Sequence, residues 1–234
     1  NNIRILCYYY NMPRIARVVF AGIPHHITQR GNRGQVVFFN KNDKEIYLNS
    51  LLKYSNQEGL KILSYCLMTN HIHLLVIPQE EASLHRTLKP LHTKYAIRIN
   101  KRYKWKGHFW QGRYFSSALD NNYMWLAMRY VENNPVRAKM VQKAEDYPWS
   151  SAAANCGLHY DKILTQDLKW KKQLKDFGEW SSWLKQINQK EFDIIRRNTV
   201  KCLPCGEKDF INKLEKTSGR ILHFRPQGRP KKDE

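Results

Sequence analysis

Two histidines one residue apart stand in Asn70-His71-Ile72-His73-Leu74-Leu75-Val76. On a β-strand, side chains alternate between faces, so both imidazoles point one way and Ile72 the other. Two ring nitrogens at that spacing can chelate one divalent cation, although a bare His-x-His is also an ordinary polar strand face. The second group is Tyr130-Val131-Glu132-Asn133-Asn134-Pro135-Val136-Arg137. Tyr130 and Asn134 share a helix face if the helix persists that far. Pro135 argues against that, because the residue before a proline is pushed out of the α region. A tyrosine hydroxyl, with a pKa of about 10, becomes a nucleophile only beside a cation or a base. Without one, it is an ordinary half-buried helix tyrosine.

Other chemistries lack their residues. Residues 1–159 carry only nine acids, and between Gly59 and Asp120 there are only Glu80 and Glu81. A two-metal nuclease site, which gathers several carboxylates, is therefore poorly supplied. Neither Gly-x-x-x-x-Gly-Lys-Ser/Thr nor Gly-x-Ser-x-Gly occurs, so nucleotide hydrolysis and serine-hydrolase chemistry have no support. Cys202 and Cys205 have the spacing of half a zinc knuckle, but no second pair follows at ligand distance.

The charge speaks to partners. Among 234 residues, 40 Lys and Arg face 20 Asp and Glu, a net charge of +20, which suits nucleic acid first and an anionic surface second. From Ala82 to Leu119 there is no acid at all. That stretch holds Arg86, Lys89, Lys94, Arg98, Lys101, Arg102, Lys104, Lys106 and Arg113 among Tyr95, Tyr103, Trp105, Phe109, Trp110 and Tyr114. The cations can neutralise phosphates and the rings can stack on unpaired bases; the plainer alternative is a solvated helix face with its aromatics in the core. Arg30 joins the expected contacts. No window of eighteen uninterrupted apolar residues occurs, so no membrane-spanning helix is expected. Five scattered cysteines fit reduced thiols in the cytoplasm, and the charge fits nucleoid association.

The elements that position these residues follow from periodicity. Strands are predicted over His25–Gln29, Leu60–Met68, His71–Ile77 and His108–Leu119. A helix starts at Asn42 with Glu45 three residues on and stops at Gly59; another runs from Ser83, with Pro90 expected to kink or break it. Asp120 caps a third, which continues to about Val131. The order β-α-β-β-α-β is the split βαβ, ferredoxin-like α+β pattern, with an antiparallel sheet, central first and third strands, and helices over one face. After residue 155 the chain reads as a helical extension (Asp167–Leu174, Trp180–Arg197, Lys208–Lys216) with a basic, proline-punctuated tail. The expected organisation is residues 1–11 as upstream or expression-derived sequence, 12–155 as the main domain and 156–234 as the C-terminal region. That region is expected either to add a DNA-binding surface or to pack on the catalytic face and limit it.

Together these segments resemble the REP-associated tyrosine transposases, relatives of the single-tyrosine HUH transposases. The resemblance rests on Met12-Pro13-Arg14, His25-His26-Ile27-Thr28-Gln29-Arg30-Gly31-Asn32, Met68 to Leu74, Trp110-Gln111-Gly112-Arg113-Tyr114 and Tyr130 to Ala138. It implies an HUH fold acting on single-stranded DNA at palindromic hairpin repeats, with cleavage and rejoining through a 5′-phosphotyrosine. It implies Tyr130 as nucleophile and His71, His73 and Asn134 (or Asn133) as ligands of Mg²⁺ or Mn²⁺. Arg30, Arg86, Lys89, Lys94, Arg98, Arg102, Lys104, Trp105 and Arg113 would touch the DNA. A monomer or homodimer, with no membrane and no nucleotide cofactor, is expected. A non-catalytic binder of structured DNA or RNA on the same scaffold is the alternative.

Overall fold

A computed structural model describes residues 18–224, apart from 177 and 187; Met12-Pro13-Arg14 and the basic tail from Arg225 lie outside it. Four strands, β1 (His25–Arg30), β2 (Leu60–Leu67), β3 (His71–Pro78) and β4 (Phe115–Ala118), form an antiparallel sheet in the order β2-β3-β1-β4. As predicted, the first and third strands are central. The helices are α1 (Lys41–Gln57), α2 (Ser83–Tyr103), α3 (Asn121–Glu132), α4 (Asn134–Arg137), α5 (Ala152–Asn155), α6 (Leu168–Asp176), α7 (Trp180–Leu184), α8 (Gln189–Lys201) and α9 (Lys208–Ser218).

Strand register decides the faces. Arg30 lies opposite His71, Thr28 opposite His73 and His26 opposite Leu75, so these six side chains share one face. The other face presents Ile27, Ile72, Leu74 and Val76, packed with Tyr47, Leu51, Leu84, Leu88 and Leu91 of α1 and α2. Each such aliphatic side chain contributes about 1.5–3 kcal/mol by leaving water. The expectation of helices over a single face holds for α1 and α2 alone. The histidine face is closed by α3 over β2 and β3, and by α8 over β1 and β4. Trp170, Trp180, Leu184, Phe192 and Ile195 of the C-terminal region share a cluster with Leu63, Leu75, Met128 and Tyr130.

Several boundaries differ from the sequence reading for local reasons. Asn40, not Asn42, caps α1, its side-chain oxygen accepting from the Asp43 amide. Pro90 sits inside an uninterrupted α2. β4 is shorter than predicted because the chain leaves α2 through Lys104 (φ 54°) and Gly107 (φ 93°), and residues 107–114 form a loop. The helix expected over Trp180–Arg197 is two: Asn188 accepts from the amides of Lys190 and Glu191 and so starts α8 anew. Asp120 caps α3 as expected, accepting from the Tyr123 amide. No helix among the described residues is long and apolar enough to cross a membrane.

Candidate metal and tyrosine site

The histidine face and α3 bring together the two motifs that the sequence separates by nearly sixty residues. The His71 and His73 ring centroids are 4.9 Å apart, and the Tyr130 ring stands edge-on to His73 at 5.6 Å. Amphipathic α3 places Tyr130 inward, with Met124, Ala127, Met128 and Val131 packing around it. A third imidazole, His26, completes the group: it lies 5.6 Å from Tyr130 and nearly coplanar with His73, with an interplanar angle of 7°.

Each imidazole is anchored through a named nitrogen. His71 Nδ1 lies 2.6 Å from Asn70 Oδ1, while Asn70 Nδ2 donates to the Gly34 carbonyl at 3.1 Å. His73 Nδ1 lies 2.9 Å from His26 Nε2, and His26 Nδ1 lies 2.8 Å from the Thr199 hydroxyl on α8. These bonds engage the Nδ1 atoms of both candidate ligands and leave their Nε2 atoms for a cation, the arrangement in which outer hydrogen bonds orient metal-binding imidazoles. Burial favours the neutral, lone-pair-bearing forms: His71 falls to about 4, helped by the Arg30 charge, and His26 falls to about 3. His73 is held well below the usual imidazole range by burial first, then by the charges of His71, His26 and Arg137.

The turn after Tyr130 is tighter than Pro135 suggested. α3 ends at Glu132, Asn133 keeps near-helical angles (φ −84°, ψ 0°), and α4 begins at once. Asn134 therefore stays on the turn of Tyr130, its Nδ2 donating to the Tyr130 carbonyl at 2.9 Å. With the amide nitrogen so engaged, the oxygen is the group left for a hard cation. Asn133 instead donates to the carbonyls of Arg129 and Leu184, tying α3 to α7. No cluster of three or more His, Cys, Asp and Glu suited to a metal occurs among the described residues.

Around the tyrosine, sequence reasoning missed four residues. Arg137 lies 4.8 Å over the Tyr130 ring, with its Nη1 buried and lacking a hydrogen bond among the described residues. Phe192 of α8 meets the same ring at 5.3 Å, and His26 and Thr199 are described above. His26 stood in a strand motif whose alternation could have placed it on the histidine face. Thr199 gave no signal, since nothing local links it to a residue 173 positions away.

The predicted DNA contacts separate into groups. Tyr95, Phe109 and Tyr114 are core residues, as the plainer reading had it, whereas Tyr103 and Trp105 (42% exposed) stack at 5.0 Å on the surface. Arg102 makes two hydrogen bonds of 2.7 Å to Asp43 and braces α1 against α2. Arg86 pairs with Glu80, and Lys94 lies over the Tyr54 ring. Arg98 and Lys104 are exposed. Lys89 and Arg113 line a groove of about 720 Å³ between α2 and the 107–114 loop, with His85, His108, Trp110 and Gln29. Arg30 lies on the histidine face beside His71.

Comparison with known proteins gives two kinds of match. Residues 19–134 match the model of the family described as transposase IS200 like. A solved REP-associated tyrosine transposase, bound to a REP hairpin, is 18% identical with a TM-score of 0.53, over 67% of this chain and 93% of that one. A chain assigned as a transposase from Deinococcus radiodurans is 19% identical with a TM-score of 0.35, over 52% of this chain and 97% of that one. The first of these supports the fold. No curated protein sequence matches.

Proposed function

Residues 19–134 belong to the IS200-like transposase family, and from that premise we propose a single-strand DNA transposase or nickase that cuts and rejoins DNA at hairpin-forming palindromic repeats. The observation carrying this reading is the Tyr130 ring packed 5.6 Å from His73, whose neighbour His71 shares its face. That the similar solved transposase was bound to a REP hairpin supports the choice of substrate.

In the proposed reaction the Tyr130 oxygen attacks phosphorus in line and the 3′ oxygen of the upstream nucleotide leaves. The protein is then joined to a 5′ phosphate, beside a free 3′-OH. One phosphodiester replaces another, so a second strand end can reverse the step without a nucleotide cofactor. Mg²⁺ or Mn²⁺, held through Nε2 of His71 and His73 and the Asn134 amide oxygen, would supply Lewis-acid polarisation of the scissile phosphate. Arg137 places a fixed positive charge against the Tyr130 ring, where it would meet the negative charge of the phosphate. Lys89 and Arg113 in the α2 groove, with the exposed Tyr103–Trp105 pair, would hold backbone and unpaired bases.

Tyr130 is only 4% exposed. That burial favours, as a second reading, a non-catalytic binder of structured DNA or RNA on the same scaffold. One experiment separates them. With Mn²⁺ and hairpin DNA, 3′-labelled substrate should become covalently attached to protein while 5′-labelled substrate is released, and Tyr130→Phe should abolish the adduct. An adduct persisting in Tyr130→Phe removes Tyr130 from its role; chelator-insensitive binding without an adduct supports the binder.

A further inference from the structure

The Thr199 hydroxyl makes two short contacts, 2.7 Å to the Ile195 carbonyl and 2.8 Å to His26 Nδ1. A carbonyl only accepts, so the single hydroxyl proton goes to Ile195 and the Thr199 oxygen must accept from His26. His26 Nδ1 therefore carries its proton. Two ring nitrogens 2.9 Å apart share one proton between them. With Nδ1–H spent on Thr199, neutral His26 offers a bare Nε2, and His73 must donate from Nδ1. The chain of donors runs His73 Nδ1–H to His26, His26 Nδ1–H to Thr199 and Thr199 O–H to Ile195. The 7° angle between the imidazole planes suits an in-plane N–H···N bond. His71 reaches the same state by a separate route, since the Asn70 oxygen facing it can only accept.

We infer that Thr199, in the C-terminal region, is a positioning residue that acts through His26 to lock His73 in the tautomer whose Nε2 lone pair is bare for a divalent cation. The inference rests on the metal-site reading above. It gives α8 a constructive part in the site, supplied from 65 residues beyond the last residue of the family match. If Thr199 could not accept, His26 would be free to adopt its other tautomer and donate from Nε2. His73 would then carry its proton on Nε2, where a cation must bind.

The test uses the full chain and Mn²⁺ alone. Thr199→Val keeps the shape and removes the acceptor; Thr199→Ser restores it. Mn²⁺ affinity is followed by the electron paramagnetic resonance of free Mn²⁺, and ring tautomers by ¹⁵N–¹H correlation of histidine-labelled protein. Thr199→Val should weaken Mn²⁺ binding about 10-fold or more, the effect usual for loss of an outer-sphere partner. It should also move His73 towards the Nε2–H form, while Thr199→Ser stays near the parent in both readings. His26→Gln, whose carboxamide oxygen can still accept from His73, should retain more affinity than His26→Leu. Unchanged affinity and unchanged His73 tautomer in Thr199→Val overturn the inference. A parent protein whose Mn²⁺ binding is indifferent to His73→Ala overturns the metal-site reading instead, and the tautomer spectrum then still judges the Thr199 contact on its own.

Discussion

The layers on the two sides of the sheet each bury a carboxylate and treat it in opposite ways. Beside α2, the Asp43 side chain is fully buried but meets the Arg102 guanidinium in a two-pronged pair, and Arg102 itself remains 32% exposed. Burial raises the Asp43 carboxyl, yet Arg102 and the Phe39 amide outweigh it and hold it below its ordinary value. On the histidine side, Glu132 is equally buried and meets only neutral donors: the hydroxyls of Ser64 and Ser151, the Asn155 amide and the Trp180 indole. Its carboxyl is raised, with burial outweighing all four hydrogen bonds. One layer is closed by a single ion pair, balanced in charge, between α1 and α2. The other is closed by hydrogen bonds gathered from β2, α5 and α7, and its balance depends on every segment staying in place.

The sharpest way to break this contrast is to remove both carboxylates. Glu132→Ala strands buried donors from three segments. It should cost about 3 kcal/mol or more, since each unpaired buried polar group is worth about 1–3 kcal/mol. For a chain of this size that is a fall of roughly 6–12 °C in the thermal midpoint. Asp43→Ala releases an arginine that can turn to water and should cost about half as much. Equal losses in thermal unfolding would mean that the layers are not differently built.

The same pair should respond to acid with opposite signs. The depressed Asp43 carboxyl contributes stability above its unfolded value of 3.8, and that contribution is lost as pH falls through the folded value. The raised Glu132 carboxyl contributes below its unfolded value of 4.5, and loses that contribution as pH rises through the folded value. Urea unfolding between pH 3 and 7 should therefore show Asp43→Asn converging on the parent in acid. Glu132→Gln should gain on the parent as pH rises. Parallel slopes for the two variants would erase the distinction.

The layers also differ in how far the sequence announces them. Alternation in His71–Ile77 and Leu60–Met68 and the stripe Leu84, Leu88, Leu91 are local patterns, so the sheet and the α2 layer were readable at once. Tyr130 and Asn134 were readable as a pair only through the resemblance, because Pro135 locally argues against a shared turn. The Glu132 cradle was hidden because a bulge between Ile62 and Ser64 breaks the strand's alternation. Leu63 and Ser64 then both serve the α3 side, one in its cluster and one on the Glu132 carboxylate. Thr199 and Phe192 are tertiary partners of the site, and no spacing rule reaches from β1 to α8. On the surface, composition marked residues 82–119 as basic but could not tell a brace from a contact.

That last distinction gives the smallest expected effect. Lys89 and Arg113 face an acid-free groove, whereas Arg102, on the same helix as Lys89, is engaged by Asp43. If groove cations meet phosphates, Lys89→Ala and Arg113→Ala should each flatten the plot of log K against log salt for hairpin DNA by about 0.7–0.9. The affinity loss at any one salt concentration should be modest. Arg102→Ala should leave that slope alone and instead lower the thermal midpoint, since its charge is already compensated within the fold. The two readouts cross: a slope change without a stability change marks an interface residue, and the reverse marks a brace. Should Arg102→Ala flatten the slope as much as Arg113→Ala, the α2 layer would not be the self-contained side of the molecule, because its own ion pair would open to the DNA.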